Sequence, residues 1–265
     1  MECLNYNPLP LKEMALRKVA SVLWMQQDIL IALKSFPQKF FFTDGKVPEI
    51  GGETAEEKTY YKISKLLLPE SLKKRLIDTT KHMGIKLRTW RVFHKIYLNF
   101  YEDEIDIDEH VLEKVSWTTT GEVHYLKTSE ELLSSNTIDI GTGYKLASLY
   151  CLEEHVRLSW AELPEVTRRR FYLGFRMNLQ YWWPYFINQE DSHLASLATP
   201  YGGDMLRFNQ FAFEFSTKKG NKAALSFFQK LTSEEKEVSL ISATGQIFLY
   251  QENVIELYHE YFNDS

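Results

Sequence analysis

The run Glu102-Asp103-Glu104-Ile105-Asp106-Ile107-Asp108-Glu109-His110 crowds carboxylates and one imidazole together, a set of groups able to ligate a divalent cation. It lacks the turn glycine and closing glutamate of an EF-hand loop, so the plainer reading is a solvated acidic loop whose charges repel. Cys151 precedes His155 by four residues, one helical turn, which is the reach of a thiol nucleophile and its base. Arg168-Arg169-Arg170 and Arg176, with Tyr172, Tyr181, Trp182, Trp183 and Tyr185, combine cations for phosphate with rings that stack on bases. Three consecutive arginines on a helix point in three directions, however, and Lys73-Lys74-Arg75 forms a similar shoulder. The aromatics read as core or as a contact patch, since Trp, Tyr and Arg anchor protein interfaces where exposed. Arg168, Arg169, Tyr181, Trp182, Trp183 and Tyr185 are therefore the candidate partner-binding set.

Ile138-Asp139-Ile140-Gly141-Thr142-Gly143 is a glycine step that would let the backbone approach a cofactor. It resembles the first motif of the S-adenosylmethionine-dependent methyltransferases, and that resemblance implies cofactor binding by Asp139, Gly141 and Gly143. The motif needs a buried strand ahead of it, and Leu132-Leu133-Ser134-Ser135-Asn136-Thr137 makes a poor one. A turn between helices is the simpler reading, with a methyltransferase as the alternative. Cys151 falls in an apolar slot, which favours a small core residue over a nucleophile. The seven histidines form no HxH or HxxxH pair, and no GxSxG, P-loop or kinase motif occurs.

Composition narrows the classes. Of 265 residues, 44% are hydrophobic and 14% aromatic, enough to furnish a core. With 31 basic and 36 acidic residues, a net charge of -5 gives no general attraction to nucleic acid. Two cysteines and no CxxC exclude a zinc knuckle and argue against a secreted disulfide scaffold. The opening Met-Glu-Cys-Leu has no basic flank or apolar core of a signal peptide, and no apolar run approaches a bilayer span. The expectation is a soluble, cytoplasmic protein.

What positions the candidate groups is a phrase that occurs twice. Lys18-Val19-Ala20-Ser21-Val22, followed by Met25-Gln26-Gln27, returns as Lys145-Leu146-Ala147-Ser148-Leu149, followed by Leu152-Glu153-Glu154. Trp24 then corresponds to Cys151. Each copy runs into an apolar-Pro step at Pro37 and Pro164. Related steps, with Pro or Thr and nearby acids, occur at Pro69, Thr128, Pro200 and Thr232, giving spacings of 32, 59, 36, 36 and 32. Pro, Thr, Ser and early acids all favour helix starts. Ile29, Ala32, Leu33 and Phe36, like Ala224, Phe227, Phe228 and Leu231, take the i, i+3, i+4, i+7 spacing of an amphipathic helix. Only Val115 to Val123 and Phe211-Phe213-Phe215 alternate like strands.

Gly220-Asn221-x-x-Ala224-x-x-Phe227-Phe228-x-x-Leu231 resembles the second helix of a divergent ankyrin-type repeat, although Thr199-Pro200-Tyr201-Gly202 replaces that family's Thr-Pro-Leu-His signature. A tetratricopeptide-like or other α-solenoid build fits as well. The resemblance implies protein binding without catalytic residues. The expectation is an all-α chain: a single helical-repeat domain over 1–265, an α-solenoid of about seven degenerate helix pairs of 32–36 residues. Its expected function is a non-catalytic protein–protein interaction scaffold without cofactor, metal or membrane. An RNA-binding helical array centred on Arg168 to Arg170 is the second alternative.

Overall fold

Pro10, Pro69 and Pro164 each stand immediately before a helix, where a missing N–H costs nothing and the fixed φ suits entry. Their carbonyls accept the first helical amides: Glu13 N on Pro10 O at 2.8 Å, Leu72 N on Pro69 O and Thr167 N on Pro164 O at 2.9 Å each. The computed structural model describes residues 10–34, 53–98, 107, 109–135, 137–173, 179–190, 208–218 and 224–246. Every regular element among them is helical, so the fold is all-α. The chain divides into two compact units, Met1–Thr137 and Ile138–Ser265.

The first unit contains α1 (Leu11–Trp24), α2 (Gln27–Lys34), α3 (Ala55–Ser64), α4 (Glu70–Leu98), α5 (Glu109–Leu112) and α6 (Tyr125–Ser134). α1 packs on α4, while α3 contacts both α2 and α4. Trp24, fully buried at the end of α1, donates its indole N–H to Thr80 O of α4 at 2.9 Å. Gly84 makes room for it, since a Cβ there would stand 2.3 Å from the Trp24 ring. Buried Arg91 of α4 donates to Leu33 O at 2.7 Å and Lys34 O at 3.1 Å, supplying partners for carbonyls at the end of α2.

The second unit contains α7 (Ile140–Leu149), α8 (Glu153–Glu162), α9 (Glu165–Leu173), a 3-10 turn at Leu179–Tyr181 and α10 (Trp183–Ile187). It continues with α11 (Phe208–Lys218), α12 (Ala224–Gln229) and α13 (Ser233–Gln246). α7 packs on α8, and α11 packs on α12 and α13. Its core is aromatic. Trp182 stacks on Phe211 at 3.6 Å, Phe186 stacks on Phe208 at 4.2 Å, and Tyr144 lies 4.5 Å from Phe171.

The doubled phrase is one local build made twice, a helix, a short turn and a second helix, as α1–α2 and as α7–α8. Leu16, Ala20, Ser21, Leu23, Ile29 and Leu33 are buried, and so are their counterparts Gly143, Ala147, Ser148, Tyr150, Val156 and Trp160. The copies differ at the turn. Where Trp24 ends a helix, Cys151 sits just past one at φ 57, with Cys151 N on Ser148 O at 3.3 Å and Leu152 N on Ala147 O at 2.9 Å. That pairing is a Schellman stop, normally made by glycine.

Three helix-start expectations agree with the structure: Pro69 before α4, Pro164 before α9, and Thr232 before α13, with the reciprocal Thr232–Glu235 capping bonds. Thr128 does not start a helix. It lies inside α6, buried, its hydroxyl accepting from Ser116 N at 3.0 Å, and His124 Nδ1 caps that helix instead. Pro37, Pro200 and Gly220-Asn221 lie outside the described residues. α4 is a single helix of 29 residues, about 43 Å long, where two short helices were expected. Phe211, Phe213 and Phe215 are helical, on α11. The segment around Val115 to Val123 makes one antiparallel bridge, Trp117 to Val123, closed by Gly121 at φ +83.

Candidate functional site

α1 is apolar on two sides. Leu16, Ala20, Leu23 and Trp24 are buried, whereas Leu11 is 82% and Val22 53% exposed, with Met14 and Val19 also in solvent. Leu11, Met14, Ala15, Lys18, Val22 and Met25 follow i, i+3, i+4, i+7, i+11, i+14 and form a continuous stripe. The buried face is explained by packing, whereas the second apolar face is not covered by any of the described helices.

The stripe floors a groove of about 890 Å³ whose other wall is Val115, Trp117, Thr118 and Thr119. That wall is held by its own hydrogen bonds: Thr118 N on Glu122 O at 2.8 Å and His124 N on Ser116 O at 2.7 Å. Gly121 lets the turn close. A Cβ there would meet Met83 at 3.3 Å and Arg17 at 3.5 Å, and a positive φ disfavours any side chain. Arg17 donates to Thr119 O at 3.4 Å, and Glu122 pairs with Lys86 of α4 at 3.0 Å. Both ends of the wall are thus tied to helices.

The lining chemistry is apolar and cationic. Among the described lining residues Arg17 and Lys18 are the charged members, joined by Ser21, Gln26, Thr118 and Thr119, with no carboxylate, imidazole or thiol. Glu13, the acid nearest in sequence, is ion-paired with Arg75. Such a surface suits burial of apolar side chains beside an anion.

The partner-binding set is placed in the second unit, and most of it is core. Trp182 is 1% and Trp183 0% exposed, and Tyr181 is buried; half-buried Tyr185 donates its hydroxyl to Tyr172 O at 3.3 Å. Trp183 donates its indole N–H to Ser148 O at 3.4 Å. Tyr181, Trp182 and Trp183 thus sit inside this unit, their rings meeting Phe171, Phe211 and Phe208. Arg169 is exposed and Arg168 partly so, and both lean on Glu165, at 3.1 and 3.8 Å, so part of their charge is matched within α9.

Asp139, Gly141 and Gly143 form a helix start. Asp139 is the N-cap of α7, its carboxylate accepting from Gly141 N at 2.9 Å, Thr142 N at 3.0 Å and Thr142 Oγ1 at 2.5 Å. Burial raises its pKa, but the hydroxyl and the two amides outweigh it, and the carboxyl is held below its usual value. Gly141 is accounted for locally, because its Cβ would sit 3.1 Å from Asp139 Oδ1. Both glycines lie in the first helical turns, and the N-terminal amides that would receive a cofactor already receive Asp139.

Cys151 is no poised nucleophile. Burial pushes its thiol up to about 12, opposed by a contact with Ser216 Oγ at 3.4 Å. Most of the acidic run lies outside the described residues. Of its charged members, Glu109 pairs with Lys34 at 3.2 Å and His110 approaches Glu113 at 3.9 Å. Among the described residues no three His, Cys, Asp or Glu side chains gather as metal ligands, and no helix is long and apolar enough to cross a membrane.

The groove was not among the sequence-level candidates. Its signal was present in the second apolar stripe of α1, but the opposite wall comes from residues about a hundred positions away. No family model, curated protein or solved structure matches this chain.

Proposed function

We propose that this protein is a non-catalytic interaction protein that binds another protein through the groove on α1. The observation that carries this reading is the exposed apolar stripe Leu11, Met14 and Val22, facing a wall already fixed by hydrogen bonds and by Gly121. A preformed groove spares a ligand part of the ordering cost that opposes association. Burying a Val, Leu or Met side chain fully contributes about 1.5–3 kcal/mol each. Three such anchors, set against an association cost of about 4–15 kcal/mol, suit a modest, reversible complex.

The scaffold in this reading is a set of degenerate helix pairs. Its support is the α1–α2 and α7–α8 helix–turn–helix segments, which share a phrase and a burial pattern, although only α7 and α8 pack closely on one another; the unbroken α4 departs from any such pairing. The reading as a solenoid of about seven pairs is part of the proposal and rests on those two segments and the helix starts at Pro69, Pro164 and Thr232.

The test is quantitative affinity purification with the full chain against its Val22→Glu variant, which places a charge on the exposed stripe and leaves the buried face alone. The expected outcome is specific loss of stoichiometric partners with an unchanged circular dichroism melt. An identical partner set for both proteins, or reproducible turnover of a small substrate by purified protein, would overturn the proposal.

A further inference from the structure

We infer that the occupant of the α1 groove is an amphipathic helical segment carrying acidic residues beside its apolar face. This rests on the protein-binding reading and adds the chemistry of the partner. The argument is charge complementarity. The groove places Arg17 and exposed Lys18 among Leu11, Met14 and Val22, and no acid is among the described residues that line it. A net charge of -5 for the whole chain makes a local cationic groove a departure from the rest of the surface. Arg17 is already anchored on Thr119 O, which fixes it without an ion pair consuming its charge. Lys18 projects from the same stripe as the apolar anchors, one turn from Val22. A ligand whose own stripe repeats at i, i+3 or i+4, and i+7 matches a helical floor of that period, in the manner of a helix lying in a groove. Acids flanking that stripe then face Lys18 and Arg17, which fixes the register and speeds encounter.

The experiment is selection of a displayed library of random 16-residue peptides on immobilised full-length protein, with parallel selections on Val22→Glu and Lys18→Glu. The expected result is enrichment of peptides combining helically spaced apolar residues with Asp or Glu, absent on Val22→Glu. A synthetic peptide of the enriched consensus should bind Lys18→Glu at least tenfold more weakly, and weaken as salt rises from 50 to 300 mM, while a Glu→Lys version of it recovers affinity for Lys18→Glu. Enriched peptides that need Val22 but show no acidic bias would overturn the acidic partner and leave the protein-binding reading intact. No enrichment, or enrichment that persists on Val22→Glu, would overturn both. Concentration-dependent dimerisation of the full chain, abolished by Val22→Glu, would assign the groove to a second copy and overturn this inference.

Discussion

Cys151 holds a left-handed backbone at φ 57 to let the chain leave α7 and enter α8 within three residues. A non-glycine residue there carries about 1–2 kcal/mol of strain. We expect Cys151→Gly to melt within a few degrees of the parent, and Cys151→Val, branched at Cβ, to lose about 1–2 kcal/mol more than the glycine variant in a denaturant titration. In a Cys3→Ser background the thiol should react with Ellman's reagent at pH 8 far more slowly in the folded than in the unfolded protein, because burial holds it near 12. Prompt labelling of the folded protein would show the thiol to be accessible. His94 gives the pH counterpart. It is fully buried among Trp90, Phe93 and Tyr125, with Nδ1 2.8 Å from Trp90 O, and burial lowers its pKa from 6.5 to about 4. Between those values the unfolded chain binds the proton that folded His94 refuses. Stability is therefore complete above 6.5, falls as pH drops through the window, and levels off below about 4. The loss amounts to about 3 kcal/mol. Urea titrations of wild type and His94→Leu across pH 4–7 should show a shallower slope for the variant; parallel slopes would remove His94 from the account.

At the scale of elements, the crossing of α1 on α4 turns on one glycine. Gly84 in the middle of a long helix costs about 1 kcal/mol against alanine by propensity alone. Its compensation is the Trp24 ring, which a Cβ would meet at 2.3 Å. Gly84→Ala should therefore destabilise by about 1–3 kcal/mol through overpacking, despite the propensity gain. In a Trp24→Leu background the same change should turn neutral or stabilising, and additive effects in that double-mutant cycle would sink the packing argument. Helix starts at Pro69, Pro164 and Thr232 were legible because proline, hydroxyl and early acid act within one turn of chain. Thr128 carries the same letters, yet its hydroxyl is taken by Ser116 N and the helix begins earlier, a tertiary choice invisible to local pattern. The unbroken α4 was hidden because the expected spacing of 32–36 residues called for two short helices there. Trp182 and Trp183 were legible as an aromatic cluster with core and contact patch both open, because the groups that bury them, Phe211, Phe208 and Ser148, lie some thirty residues to either side.

For the whole molecule, Met1–Thr137 and Ile138–Ser265 each open their described helices with two helices joined by a short turn, and each carry a packed core. At 137 and 128 residues both exceed the size below which single cores become marginal. We expect each, produced alone, to keep helical circular dichroism and a cooperative melt; a molten response from either would show that the two are obligately coupled. The candidate groove belongs wholly to the first. A first unit made alone should then retain whatever the Val22→Glu comparison identifies as a partner.

Arg91 has a consequence for how the chain opens. α2 is eight residues long, too short to hold its own amide bonds in water, and its last carbonyls take their donors from Arg91 in the last third of α4. The two helices therefore have no separate opening event. In native-state hydrogen exchange the amides of Leu30 to Lys34 should exchange with the free energy of the α4 turns around Arg91, as one cooperative block, and Arg91→Leu should let α2 exchange early while α4 stays protected.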